Sequence, residues 1–173
     1  MKFYTKKGDE GKTSLYDSKK LISKDDKIFE ALGSLDELNS YLGICRSNSK
    51  IERVNKHLKN LQEKIFIIQA EMAGRTVEPI SKAELQELER NIDELGNEVG
   101  EIHKFTIYSG NILAAHIDYA RALARTAERR AVSIKKKISK KSFAYLNRIS
   151  SLLFVLARYV NKKEGIKEEH PSY

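Results

Sequence analysis

The chain has 173 residues, and 40% of them are hydrophobic, which is enough apolar surface for a folded core and excludes a wholly disordered protein. The net charge of +8 at pH 7 favours polyanionic partners, either nucleotide phosphates or nucleic acid. No apolar run reaches the ~18 residues of a membrane span, and the single cysteine excludes an intramolecular disulfide, so we expect one cytoplasmic domain without membrane contact.

The first 24 residues lack helical periodicity and are rich in glycine, hydroxyl and lysine side chains. Gly8 and Gly11 would let backbone N–H groups converge on a phosphate. A P-loop is excluded, because the first glycine of that motif would fall at Lys6. The composition leaves two interpretations open, a phosphate-binding loop and a mobile tail.

Three amphipathic helices are predicted over residues 26–48, 51–73 and 81–100. Their apolar residues recur three and four positions apart, as on the buried face of a bundle helix. In chain order these residues are Phe29, Leu32, Leu35, Leu38, Leu42 and Cys45; then Ile51, Val54, Leu58, Leu61, Ile65, Ile68 and Met72; then Leu85, Leu88, Ile92, Leu95 and Val99. Ser81 and Glu84 predict a capping box for the third helix. Cys45 lies on an apolar face, so we predict a buried thiol rather than a nucleophile.

An apolar linker and two more helices are predicted in the second half of the chain. The linker over 103–110 is more apolar than an ordinary exposed loop, which predicts a contact. The fourth helix is predicted over 111–137, ending in a basic elbow at 135–141, and the fifth over 142–163. The predicted buried seams are Ile112, Ala115, Tyr119, Ala122 and Thr126 in the fourth helix, and Phe143, Leu146, Ile149, Leu153, Leu156 and Val160 in the fifth.

Five helices with short connections predict an all-α antiparallel bundle. The single domain would comprise a loop over 1–24, the bundle over 25–163 and a frayed polar tail over 164–173. The fourth and fifth helices are apolar over much of their circumference, which predicts burial by more than one neighbour, including another subunit.

Arg121, Arg125 and Arg129 recur every four residues and therefore line one side of the fourth helix. Like charges at this spacing repel each other by roughly 0.2–0.5 kcal/mol per pair, so they require an anion or carboxylates. One hypothesis is a structural ladder, and the other is a phosphate site, because guanidinium groups match pairs of phosphate oxygens. The carboxylates available to the ladder are Asp36, Glu71 and Glu128. Asn147 stands among apolar residues of the fifth helix, which predicts a buried amide that needs partners.

Two other classes of helical protein are disfavoured. A di-iron carboxylate protein needs Glu-x-x-His pairs, and none of the four histidines has a glutamate three residues before it. A nucleic-acid-binding protein would use the basic elbow at 135–141, but the sequence contains neither a helix-turn-helix pattern nor a basic face interleaved with aromatic residues.

Five stretches in order resemble the propanediol-utilisation (PduO)-type ATP:cob(I)alamin adenosyltransferases. They are Tyr4-Thr5-Lys6-Lys7-Gly8-Asp9-Glu10-Gly11, Lys24-Asp25-Asp26, Gly33-Ser34-Leu35-Asp36-Glu37-Leu38-Asn39-Ser40, Arg125-Thr126-Ala127-Glu128-Arg129-Arg130 and Asn147-Arg148-Ile149-Ser150. The resemblance covers about residues 3–161. Each stretch is modest alone, but the five in family order are specific.

The resemblance implies a ferritin-like five-helix bundle that forms a homotrimer, with active sites between subunits. Cob(I)alamin and ATP would be the substrates, and adenosylcobalamin and triphosphate the products. Arg125, Arg129 and Asp36 would be catalytic, with Asp36 pairing across the interface with Arg125. Phe105 would face the corrinoid and keep it base-off. The residues that would hold ATP are Thr5, Lys6, Lys7, Gly8, Thr13, Ser14, Lys24, Arg125, Glu128, Arg129 and Asn147.

The chemistry implied by the resemblance suits these residue types. Cobalt(I) is itself the nucleophile, so the protein needs cations where negative charge develops on the leaving triphosphate. Mg²⁺ would be held mainly by ATP rather than by protein side chains. A cobalamin reductase and an adenosylcobalamin-dependent enzyme would be the partners, and nucleic acid and membranes would not.

Two departures from the family pattern affect these expectations. The family usually has arginine where this chain has Thr126, which removes one cation that Lys12 or Arg130 would have to replace. The family linker commonly has Pro-Gly after the aromatic residue, whereas this chain has Tyr108-Ser109-Gly110. An ATP-binding regulatory bundle without cobalamin chemistry is therefore the main alternative.

Overall fold

Five α-helices form most of the described chain in the computed structural model, which describes residues 2–16 and 18–173. The helices are α1 (Lys27–Ser47), α2 (Glu52–Met72), α3 (Lys82–Val99), α4 (Ile112–Val132) and α5 (Lys140–Lys163), and a short 3-10 helix spans Lys135–Lys137. Two short antiparallel strands, β1 (Lys12–Thr13) and β2 (Ile22–Ser23), form a hairpin before α1. The prediction of an all-α five-helix bundle is confirmed.

The helices pack side by side in the order α2, α1, α4, α5, α3, and α2 also contacts α5. The predicted apolar positions of α2 from Val54 to Met72 are buried in the common core. Cys45 is also fully buried, as predicted, and burial raises the pKa of its thiol to about 12. No helix among the described residues is long and apolar enough to cross a membrane.

Side-chain caps define most helix starts. The Asp26 carboxylate accepts a hydrogen bond from the Ile28 amide at 2.9 Å, and Asn111 caps α4 in the same way at 2.8 Å. The predicted boundaries of the last two helices were wrong. Because Ser139 caps α5, this helix begins at Lys140 rather than at residue 142. The fourth helix ends at Val132 rather than Lys137, because the chain turns so that Ile134 and Ile138 are both buried.

The predicted seam of α4 faces outward, which is a correction. Ile112 is 67% exposed and Tyr119 is 53% exposed, whereas Leu113, Ile117 and the alanines one position away are buried. Alanine occurs on several sides of α4, so spacing alone did not identify the buried face. The small buried face lets α1 and α5 pack closely against α4.

The residues after Gly165 are held against the rest of the chain, although a frayed tail was predicted. The Ile107 amide donates to the Glu169 carbonyl at 2.8 Å, and Glu168 accepts a hydrogen bond from the Arg158 Nε atom at 2.8 Å. The tail is ordered because Glu168 bonds to Arg158, a buried residue 10 positions earlier in the sequence.

The capping box of α3 predicts a pH-dependent stability. The ammonium group of Lys64 and the capping interactions with Ser81 lower the pKa of Glu84 from 4.5 to about 2. Because the folded-state pKa is depressed, this stabilisation is present above pH 4.5 and is lost as the pH falls towards 2. Glu84→Gln should reduce the free energy of unfolding at neutral pH by roughly 1–2 kcal/mol. The difference from wild type should vanish at low pH.

Chemical denaturation at several pH values measures this effect. Glu87→Gln is the matched control, because Glu87 is exposed on the same helix and makes no ion pair with any described residue. A difference between wild type and Glu84→Gln that stays constant down to pH 2 would contradict the assignment.

Candidate functional site

The three arginines spaced along α4 have different surroundings. The Arg121 guanidinium lies over the Tyr108 ring, 4.8 Å from its centroid. Arg125 is exposed and makes no hydrogen bond or ion pair with the described residues. Arg129 is also exposed, and its Nη2 atom donates to the Thr126 hydroxyl at 3.0 Å. Arg121 thus has a structural contact, whereas Arg125 and Arg129 present cationic groups at the surface.

The three carboxylates considered for an arginine ladder do not form one within a single chain. Glu71 accepts hydrogen bonds from the Ser139 amide and the Ser142 hydroxyl at the start of α5. Glu128 accepts a hydrogen bond from the side-chain Nδ2 atom of Asn147 at 2.7 Å. Asp36 is exposed on α1 and forms no ion pair within the described chain. Arg125 and Arg129 therefore remain available for an external anion.

Asn147 lies at the surface, not in the core as predicted. Its neighbours Leu146 and Ile149 are buried, but position 147 falls on the outer side of α5. Besides its bond to Glu128, Asn147 accepts a hydrogen bond from Arg148 Nη1 at 2.6 Å. The structure thus brings Glu128 and Asn147 together across α4 and α5.

The N-terminal segment is a compact hairpin built around Gly8 and Lys24. The Lys24 Nζ atom donates to the Gly8 carbonyl at 2.8 Å, and the Lys24 amide donates to the Gly11 carbonyl at 2.9 Å. A Cβ atom at Gly8 would lie 2.9 Å from Lys24 Nζ, so a side chain at this position would require the lysine to move. Lys6 has a φ of 61°, a left-handed conformation that non-glycine residues rarely adopt. This strained, lysine-rich turn is an arrangement typical of functional sites.

In the described part of the chain, the N-terminal hairpin makes no polar contact with the predicted site residues of α4 and α5. No hydrogen bond or ion pair between described residues joins residues 2–24 to Arg125, Glu128, Arg129 or Asn147. The predicted ATP-binding residues therefore fall into two groups. The first group comprises Thr5, Lys6, Lys7, Gly8, Thr13, Ser14 and Lys24, and the second comprises Arg125, Glu128, Arg129 and Asn147.

An exposed apolar stripe runs along α4 towards the arginines. It contains Ile112, Ala115, Tyr119 and Ala122, and the same spacing continues to Thr126 and Arg129. On the neighbouring helix the Tyr41 hydroxyl lies 2.7 Å from His116 Nδ1, and the Tyr41 ring packs edge-on against Tyr119 with centroids 4.9 Å apart. Burial, the largest cause, raises the pKa of Tyr41. Sequence reasoning singled out neither Tyr41 nor His116, because their proximity depends on the packing of α1 against α4.

Phe105 lies on the loop between α3 and α4 and is 77% exposed. Beside it is a cavity of about 510 Å³, whose lining includes Tyr108, Arg121 and Phe154. Aromatic rings and an arginine at an open cavity suit a flat, largely apolar ligand with polar edges. Sequence reasoning identified Phe105 but not Phe154, which reaches this cavity from α5.

The described residues contain no group of three or more histidine, cysteine, aspartate or glutamate side chains placed to hold a metal ion. The site instead consists of lysine and arginine donors with a few carboxylate and amide groups. Such a set suits polyphosphate, because the cations offset several negative charges at once.

Comparison with known proteins identifies relatives over nearly the whole chain. The family model of cobalamin adenosyltransferase matches residues 3–160. A corrinoid adenosyltransferase PduO from Citrobacter freundii is 36% identical over 166 residues, which cover 91% of this chain. This chain spans about half of that relative, 49% of its length. A corrinoid adenosyltransferase from Bacillus subtilis is 33% identical over 175 residues, covering 96% of this chain and 90% of the relative.

Solved structures show the same similarity. A variant of a PduO-type ATP:corrinoid adenosyltransferase from Lactobacillus reuteri, complexed with cobalamin and ATP, superposes with a TM-score of 0.91 at 28% identity. The match covers 99% of this chain and 97% of that chain. A second variant complexed with the same two ligands gives a TM-score of 0.92.

Proposed function

Because this chain belongs to the cobalamin adenosyltransferase family, we propose that it transfers the 5′-deoxyadenosyl group of ATP to cob(I)alamin. The products are adenosylcobalamin and triphosphate. The observation that carries this proposal is the pair of exposed arginines, Arg125 and Arg129, beside the Glu128–Asn147 hydrogen bond. The resemblance to the family motifs supports ATP binding at these positions.

The chemistry needs charge stabilisation more than a protein nucleophile. The cobalt of cob(I)alamin attacks C5′ of ATP, the C5′–O bond breaks, and the electron pair leaves with triphosphate. Arg125 and Arg129 lack carboxylate partners among the described residues, so their charge can be directed at the triphosphate. Lys6, Lys7 and Lys24 would add donors from the N-terminal hairpin. Bound Mg²⁺ would supply further positive charge and be held mainly by ATP.

We further propose that the active site forms between subunits of a homotrimer. The two groups of predicted ATP-binding residues share no hydrogen bond or ion pair within the described chain, which supports a site that a second copy completes. The exposed apolar stripe of α4 supports this arrangement, because large uncovered apolar patches mark interaction surfaces. Asp36 is exposed without an ion pair among described residues, and in the trimer it would pair with Arg125 of a neighbouring subunit.

Phe105 is proposed to lie against the lower face of the corrinoid. Its ring is 77% exposed at the edge of the aromatic cavity, so an apolar group is presented to a ligand rather than to the core. A phenyl ring at this face offers cobalt no axial ligand. Without an axial ligand on this face the corrinoid stays base-off, and its cobalt is more easily reduced to cobalt(I).

The proposed reaction implies a place for the protein in the cell. A reductase must supply cobalt(I), and an adenosylcobalamin-dependent enzyme would consume the product. The basic chain with one buried, reduced thiol suits the reducing cytoplasm.

A spectroscopic assay tests the proposal. Chemically reduced cobalamin, ATP and Mg²⁺ are mixed with the protein, and adenosylcobalamin formation is followed in the visible spectrum. We expect product formation well above the rate without protein. No product above that control would refute the enzyme proposal.

The regulatory alternative predicts ATP binding without product. Thr126 favours this alternative, since the family usually has arginine there. ATP binding measured by calorimetry on the same preparation is therefore combined with the product assay, and binding without product would support the regulatory alternative.

A further inference from the structure

The loop that carries Phe105 is fastened to α5 by Asn161. This residue is buried, and its Oδ1 atom accepts a hydrogen bond from the Asn111 amide at 2.9 Å. Its Nδ2 atom donates to the Ser109 carbonyl at 3.2 Å. Gly110 lies against the same side chain with a φ of 96°, and a Cβ atom there would be 2.7 Å from Asn161 Oδ1. Gly110 and Asn161 therefore shape this end of the loop without a proline.

The C-terminal segment holds the other part of the loop. The Ile107 amide donates to the Glu169 carbonyl at 2.8 Å. His170 Nδ1 lies 2.9 Å from the Phe105 carbonyl, and since a carbonyl can only accept, the imidazole N–H is the donor. The backbone on both sides of Thr106 is thus bonded to residues near the C-terminus.

A buried arginine anchors this segment to the helices. The Arg158 side chain is only 1% exposed and forms ion pairs with Asp118 of α4 and with Glu168. Glu168 Oε1 also accepts a hydrogen bond from Asn161 Nδ2 at 3.0 Å. Shielding from water strengthens such charge-assisted contacts. The segment is therefore joined to α4 and α5, and through them to the packed core.

The space between the loop and this segment is open. A cavity of about 570 Å³ lies there, and its lining includes Ile102, Thr106, Arg158 and Ile166. The loop consequently packs little against the C-terminal segment across this cavity. Its position depends on the contacts at its edges, to Asn161 on one side and to residues 168–170 on the other.

From these contacts we infer that residues 166–170 position the Phe105 loop for the corrinoid, with Glu168 as the anchoring residue. This inference rests on the proposed function, in which the Phe105 ring meets the lower face of the corrin. The exposed Phe105 ring can stay against the corrin only if contacts hold the backbone of the loop in position. Glu168 is a positioning residue, because it acts through the loop and does not meet the substrate itself.

Glu168→Ala tests the inference by comparing the two substrates. We expect the KM for cob(I)alamin to rise about tenfold, since small displacements of a positioning group have effects of this size or larger. The KM for ATP should remain at its wild-type value, whereas the midpoint of chemical unfolding should fall, because Arg158 loses one of its two carboxylate partners. Glu169→Ala is the matched control, because its carboxylate is exposed and makes no side-chain contact of hydrogen-bond or ion-pair type with the described chain.

Two further variants extend the test, and the first of them keeps it decisive if Glu168→Ala folds poorly. His170→Ala removes an exposed imidazole and should also raise the KM for cob(I)alamin without changing that for ATP. When Phe105 has already been replaced by alanine, adding Glu168→Ala should raise the KM for cob(I)alamin little further, because the ring that Glu168 positions is missing. Equal KM values in wild type, Glu168→Ala and His170→Ala, or an equal rise for both substrates, would overturn the inference.

Hydrogen exchange provides a readout that does not require activity. The Ile107 amide should exchange faster in Glu168→Ala than in wild type, and the Glu169→Ala control should match wild type. If the wild type makes no adenosylcobalamin, the proposed function fails. If the wild type is active but Ile107 exchange and both KM values are unchanged in Glu168→Ala, only the positioning role fails.

Discussion

Arg129→Ala is expected to lower kcat/KM for ATP by about 10²–10³-fold, which is typical for removing one charge-stabilising donor from an active site. In the proposed reaction the exposed guanidinium would meet the triphosphate, where negative charge increases as the C5′–O bond breaks. We expect both a higher KM for ATP and a lower kcat. The fold should be unaffected, because Arg129 bonds only to the Thr126 hydroxyl within the described chain.

Steady-state kinetics together with far-ultraviolet circular dichroism measure this effect. Arg90→Ala is the matched control, since Arg90 is an exposed arginine on α3 that forms no ion pair with a described residue and has no predicted role in the site. The control should retain nearly full activity. Loss of the helical signal in Arg129→Ala would support the structural hypothesis for the arginines instead. Equal activity of the two variants would remove Arg129 from the site.

Asp118→Ala is expected to lower the free energy of unfolding by about 3–5 kcal/mol, the usual cost of removing one partner of a buried ion pair. Asp118 is 3% exposed and Arg158 is 2% exposed, so the arginine cannot recover its hydration after the change. Burial, the larger cause, raises the pKa of Asp118, and the hydrogen bond from Arg158 opposes that shift. Glu168 remains as a partner of Arg158, which favours the lower end of the range.

Urea denaturation at a fixed protein concentration measures the loss. Asp93→Ala on α3 is the control, because Asp93 is exposed and forms no ion pair with a described residue. It should differ from wild type by less than about 0.5 kcal/mol, as surface substitutions usually do. If Asp118→Ala were as stable as this control, the buried pair would contribute no net stability.

Helices with one strongly apolar face were predictable from sequence. In α2 the apolar residues repeat at a spacing that only one side of a helix can satisfy, so both the helix and its buried face were correct. The capping box of α3 was equally recognisable, because Ser81 and Glu84 act within one turn.

The candidate site was only partly predictable. The family motifs located Arg125, Glu128, Arg129 and Asn147 in the chain, but their spacing could not show that Glu128 bonds to Asn147 rather than to an arginine. The Tyr41–His116 contact joins residues 75 positions apart and has no local pattern. Arg158 was missed for the same reason, since its partners lie on α4 and in the C-terminal segment.

The sequence alone determined the five helices, their approximate limits and the family, because periodicity, caps and motifs are local properties of the chain. Only the tertiary structure decided which side of α4 is buried, that Asn147 is exposed, and that the residues after Gly165 are held against the Phe105 loop. Alanine fits equally well on a buried face and on an exposed one, so the buried face of α4 is determined by its packing against α1 and α5. A polar residue likewise has its environment set by partners distant in sequence.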